Sequence, residues 1–152
     1  MKNESYRANF AYTSQHAFTG NDWYFDSGCS RHMTGDQTFL SSIKPYSNCH
    51  VTFGDGVKAK IIGKGQLNYP GLSCLTEALL VEGLTANLIS ISQLCDLSLR
   101  VDFTRDECVV INEEQVELMK GTRTPDDCYI WSPVKVSQVT KCLLSKADEA
   151  KL

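Results

Sequence analysis

Between Trp23 and about Trp131, apolar residues fall in short alternating or continuous runs broken by glycine, proline and acidic residues, which is the punctuation of β structure. Val51 and Phe53 alternate with His50 and Thr52. Val57, Ala59 and Ile61 alternate with two lysines, and Gly54, Asp55, Gly56 lie between the two runs. Glycine and aspartate tolerate the positive φ angles of tight turns, so this pattern predicts a hairpin. Further strands are expected at Gly65 to Tyr69, Cys74 to Val81, Arg100 to Phe103, Cys108 to Ile111, Val116 to Met119 and Cys128 to Trp131. One helix interrupts them: Asn87 can cap it, and Leu88, Ile91, Leu94 and Cys95 recur at near-helical spacing.

The flanks read differently. Residues 1–20 are polar without sustained periodicity and predict a flexible leader. Residues 133–152 read as a linker, and Ser145, Lys146, Ala147, Asp148 fit a capping box that opens a helix near the end of the sequence. A length of 152 residues, 42% of them apolar, suits one globular domain over residues 21–132. A formal charge of −3 argues against nucleic-acid and anionic-membrane partners, and no apolar run reaches the length of a spanning helix. Seven scattered cysteines lack the short spacings that place two thiolates on one metal, so they read as reduced packing residues, with a disulfide framework as the alternative.

The candidate chemistry lies in WYFDSGCSRHMTG, Trp23 to Gly35. Three aromatic residues form a strand through the core, and Asp26, Ser27 and Gly28 form the turn at its end. An acid placed there is partly desolvated and needs hydrogen-bond donors, or its pKa rises. Ser27 can offer its hydroxyl, and Gly28 can offer a backbone N–H with no Cβ in the way. Cys29 and His32 are three apart and suggest a thiol and a base, yet no third orienting group is evident, and His32 reads better as a structural histidine. His16 and His50 lack metal-ligand spacing, and no metal or cofactor site is expected. Asp55 reads as a turn residue, with substrate contact as its other possibility, and no G-x-S-x-G surrounds Ser27 to make it a nucleophile.

DSGCSRHMTG, VTFGDG with its sequel Gly63 to Gly65, and VEGLTANLISISQL from Val81 to Leu94 together resemble the aspartic protease region of copia-type LTR retrotransposon Pol polyproteins, relatives of the retroviral proteases. The interval of 61 positions from Asp26 to Asn87 is similar to that between the catalytic aspartate and the single helix of retropepsins. The resemblance implies a mainly β, closed retropepsin-like barrel with one short helix, and a flap hairpin carrying Phe53, Gly54, Asp55 and Gly56. It also implies an active site at a homodimer interface. Asp26 would be catalytic, with Ser27 and Gly28 supporting it. Two carboxylates sharing one proton would activate water, and because the chain has one DSG, the second would come from another copy. The substrate would be a Gag-Pol precursor, cut inside cytoplasmic virus-like particles, with the leader as the Gag junction and the integrase beyond the linker. The run from Val101 to Trp131 departs from the compact retroviral pattern and leaves the dimer-forming segment open. The rival reading is a retropepsin-like β scaffold or binding module of a degenerate or domesticated element, without a working dyad.

Overall fold

The computed structural model describes residues 5–8, 20–72 and 74–133. Twelve strands follow in chain order: β1 (Ser5–Ala8), β2 (Trp23–Asp26), β3 (Met33–Thr34), β4 (Leu40–Pro45), β5 (His50–Phe53), β6 (Lys58–Leu67), β7 (Ala78–Val81), β8 (Asn87–Ser90), β9 (Arg100–Phe103), β10 (Glu107–Ile111), β11 (Glu117–Arg123) and β12 (Tyr129–Trp131). One helix, α1 (Ile91–Asp96), separates β8 from β9. The predicted hairpin forms as β5 and β6, and the predicted C-terminal strands appear as β9 to β12, all antiparallel neighbours.

Hydrogen bonding runs in the order β1-β5-β6-β7-β3-β8-β2-β12-β11-β10-β9, with β4 beside β6. The expected closed barrel is not present: the path is open and its ends, β1 and β9, do not pair. Closure needs two free edges that can join, whereas β9 follows directly on α1 and keeps Arg100, Asp102 and Phe103 exposed, charged side chains being a usual way to protect an edge.

β7 and β8 are buried along their whole length. Their side chains alternate between two cores, as the two-residue period of a strand requires. Ala78, Leu80 and Ile89 join Trp23, Leu67, Leu94, Val110 and Trp131 in one; Leu79, Val81 and Leu88 join Met33, Val51 and Ile61 in the other. This two-sided burial explains why ALLV and NLI are apolar at successive positions instead of alternating.

Three local differences from the sequence-based expectation have physical causes. Asn87 does not cap the helix; residues 87–90 are strand, and Ser90 is the cap. β6 runs for ten residues through Gly63 and Gly65, with a register shift against β7 between Ile61 and Gly63, and β4 crosses so close that a Cβ on Gly65 would lie 2.9 Å from the Ser41 carbonyl oxygen. Ser5–Ala8, inside the expected flexible leader, pairs in parallel with β5 as β1. The helix expected from Ser145 lies outside the described residues.

Candidate active site

β2 is held from both sides. β8 runs parallel to it, with Asp26 opposite Ser90, and β12 runs antiparallel, with Trp131 opposite Trp23. Trp23 meets Phe39 edge-on at 5.5 Å between ring centroids and packs on Trp131 at 6.4 Å. The Ser132 hydroxyl donates to the Asp22 carboxylate at 2.6 Å, tying the end of β12 to the start of β2. Residues 101–131 therefore extend the sheet on the β12 side of β2, pairing at Trp23 and Tyr24.

Asp26 ends the strand, half-buried, and its Oδ1 accepts the Gly28 N–H at 2.7 Å. Burial pushes the carboxyl above the ordinary carboxylate value and the Gly28 bond opposes that shift. Neither influence is another carboxylate. Ser27 is exposed at the turn, pointing to no partner among the described residues.

Behind the turn lies a buried polar network. Ser90 Oγ donates to the Cys29 carbonyl at 2.8 Å and accepts the Gln93 N–H at 3.1 Å, capping α1. The Ser90 N–H is taken by His32 Nδ1 at 2.9 Å. Gln93 in turn accepts the His32 N–H through Oε1 at 2.9 Å and donates through Nε2 to the Thr76 carbonyl at 2.7 Å. Thr34 Oγ1 donates to Asn87 Oδ1 at 2.6 Å, while Asn87 Nδ2 donates to the carbonyls of Gly20 and Asp22, each at 3.1 Å, fixing the approach to β2.

This network shows what Cys29 and His32 do. Burial pushes the Cys29 thiol far up, and the thiol donates to the Asp26 carbonyl at 3.6 Å. His32 is fully buried and its pKa is lowered to about 3 by burial and, secondarily, by Arg31. With Nδ1 accepting, the neutral ring carries its proton on Nε2. The two side chains face different backbone groups and form no thiol–imidazole pair. Ser90 and Gln93 were missed as site residues, although Ser-x-x-Gln at 90–93 is a capping-box pattern that marks the true helix start.

The hairpin turn is built as its sequence predicts. Phe53 N–H donates to the Val57 carbonyl and Gly56 N–H to the Phe53 carbonyl, both at 2.9 Å, while the Asp55 carboxylate accepts the Val57 N–H at 3.0 Å. Gly56 takes a φ of +86°. Asp55 thus serves the turn. A cavity of about 700 Å³ lies between this hairpin and residues 82–85, with Phe53, Asp55, His50 and Leu84 in its wall; Asp26 does not line it. The DSGCSRHMTG segment reaches this wall through Gly35, where any Cβ would collide with the Leu84 carbonyl oxygen.

Residues 23–99 match the family described as "Pol polyprotein, beta-barrel domain". The chain belongs to this family. It is 32% identical over 150 residues to the retrovirus-related Pol polyprotein from transposon RE2 of Arabidopsis thaliana, and 31% identical over 150 residues to that from transposon RE1. Each alignment takes in 95% of this chain and 10% of the relative, so the chain spans about a tenth of the length of these polyproteins. It is also 35% identical over 75 residues to a putative transposon Ty5-1 protein of Saccharomyces cerevisiae, covering 49% of this chain and 51% of that one. No solved structure matches. The resemblance to a retrotransposon Pol polyprotein region therefore holds.

Among the described residues, no group of three or more His, Cys, Asp and Glu is placed to hold a metal, and no helix is long and apolar enough to cross a membrane. Cys29, Cys49, Cys74, Cys95, Cys108 and Cys128 are free thiols.

Proposed function

We propose that this Pol polyprotein domain is an aspartic endopeptidase that cuts its own Gag-Pol precursor, with Asp26 supplying one of two catalytic carboxylates. The observation carrying this reading is the setting of Asp26: a half-buried acid at a strand end, raised in pKa, fixed by the Gly28 N–H and backed by the Ser90–His32–Gln93 network. An acid that keeps its proton more tightly than a free carboxylic acid suits a pair in which one member stays protonated.

The ionised member takes a proton from water as the water attacks the peptide carbonyl. The protonated member donates to the carbonyl oxygen, and a tetrahedral diol results. Collapse of the diol returns a proton to the leaving amine. One Asp-Ser-Gly per chain makes the second carboxylate that of another copy across a two-fold axis, with Ser27 and Gly28 beside it. The hairpin at Phe53, Gly54, Asp55 and Gly56 would cover an extended substrate, and the adjoining cavity would receive its side chains. Cleavage would take place in cytoplasmic virus-like particles, with residues 1–20 as the Gag junction and residues 133–152 leading toward the integrase. Neither nucleic acid nor membrane enters the reaction.

A second reading is a non-catalytic β scaffold or binding module. It is favoured by the cavity wall, which includes the hairpin but not Asp26. The deciding experiment compares cleavage of the matching precursor by wild type and Asp26→Asn, with sedimentation of both. Cleavage that vanishes in Asp26→Asn while a dimer persists supports the protease; an unchanged cleavage pattern in the pure variant eliminates Asp26 as catalyst. A wild-type monomer that binds precursor peptides without cutting them favours the module.

A further inference from the structure

The outer edge of the hairpin is occupied by the N-terminal segment of the chain. β1 lies parallel to β5 in the register Ser5 to His50, Tyr6 to Val51, Arg7 to Thr52 and Ala8 to Phe53. Tyr6 anchors it: the side chain is 7% exposed and sits in the core that holds Val51, Ile61 and Cys49. Its hydroxyl lies 3.4 Å from that of Tyr46. The Lys64 ammonium stands over both rings, 4.2 Å from the Tyr46 centroid and 5.8 Å from the Tyr6 centroid, and is held there by Glu77 at 3.3 Å. Tyr46, Lys64 and Glu77 also line an adjoining cleft of about 340 Å³.

We propose that the β5 edge and the Tyr46–Lys64–Glu77 socket form a docking site for an extended, tyrosine-bearing peptide strand. In this chain the occupant is its own segment Ser5–Ala8, which restrains the hairpin while docked. Three observations point to a detachable strand. Among the described residues β1 has one neighbour, and it pairs in the parallel mode, whose bonds are slightly weaker per residue. The surrounding leader sequence is polar without periodicity, so the strand forms on a template edge more than from its own pattern. The other edge of β5 stays paired with β6, so release of β1 bares the hairpin without dismantling it. Covalent attachment keeps the effective concentration of the segment high, so cutting the connection is what turns the restraint off. This proposal does not depend on whether Asp26 is catalytic.

The test uses the full chain with a specific protease site introduced between residues 11 and 18. Hydrogen exchange is followed at the hairpin amides of residues 50–61 before and after cutting, with residues 107–123 as a control for global stability. Cutting followed by gel filtration should leave the hairpin exchanging roughly tenfold faster with the control unchanged. The free peptide MKNESYRANF should restore slow exchange, and the same peptide with Tyr6→Ala should not. A freed segment whose loss leaves hairpin exchange unaltered would overturn the proposal, as would equal rescue by the Tyr6→Ala peptide. A segment that co-elutes after cutting, with the hairpin still protected, would show that the cut does not release β1 and would also overturn the proposal.

Discussion

His32 Nδ1 accepts the backbone N–H of Ser90 at 2.9 Å, so the loop after Asp26 is clamped to the start of α1 by a neutral, fully buried imidazole. An ordinary histidine titrates at 6.5 and this one is lowered to about 3, so protons bind the unfolded chain preferentially between those values. The stability tied to neutral His32 is complete above pH 6.5 and is lost as pH falls toward 3. We expect unfolding stability to drop by about 2 kcal/mol from pH 8 to pH 5 through this residue alone. His32→Asn keeps an acceptor near Nδ1 and should remove that part of the slope. Urea titrations of both proteins at the two pH values measure it.

Asp26 has the opposite sign. Its carboxyl is raised above 3.8, so the ionised form opposes folding; that cost is complete above the folded value and disappears as pH falls below 3.8. Asp26→Asn should therefore be at least as stable as wild type at pH 7, within about 1 kcal/mol, and its advantage should shrink in acid. Thermal unfolding of the pair across pH reads this. A variant markedly less stable at neutral pH would show that the carboxylate is held by attractions the structure does not contain.

Ser90→Ala removes both the cap of α1 and the donor to the Cys29 carbonyl, leaving that buried oxygen without the bond. The loss should be about 2–3 kcal/mol, more than either interaction alone. Ser90→Thr, which keeps the hydroxyl, should recover much of it. Chemical denaturation gives the totals, and amide exchange in Ile91–Asp96 locates them.

At Gly35 a single methyl group should be disruptive, because its Cβ has no room beside the Leu84 carbonyl. Gly35→Ala should move the loop at residues 82–85 and reshape the hairpin cavity while β10 and β11 remain unperturbed. Backbone chemical-shift changes confined to β3, residues 82–85 and the facing hairpin would match this; changes spread over β9 to β12 would not.

Strand positions were legible wherever one residue type had to meet one environment. The turn at Gly54–Gly56 and the strands from Arg100 to Trp131 follow from alternation and punctuation alone. The start of the helix was misplaced because Leu88 and Ile89 feed two different cores from a strand, and a short apolar run on both faces of a sheet imitates helical spacing. Barrel closure could not be read from strand patterns, since it depends on which edges meet. At the site, Asp26 and Gly28 were visible because their bond is local. Ser90 and Gln93 act on Cys29 and His32 across 61 positions, and such pairings leave no periodicity in the sequence.

The flanking of β2 by β8 on one side and β12 on the other also sets an order of events during synthesis. Asp26 is synthesised before both of the ladders that hold its strand, which are supplied by residues 87–90 and 129–131. Until Trp131 has been made, one side of that strand lacks its partner, so the acid turn acquires its final surroundings only after nearly the whole domain is available. A growing polyprotein thus carries the aspartate for most of this domain's translation before its complete setting exists.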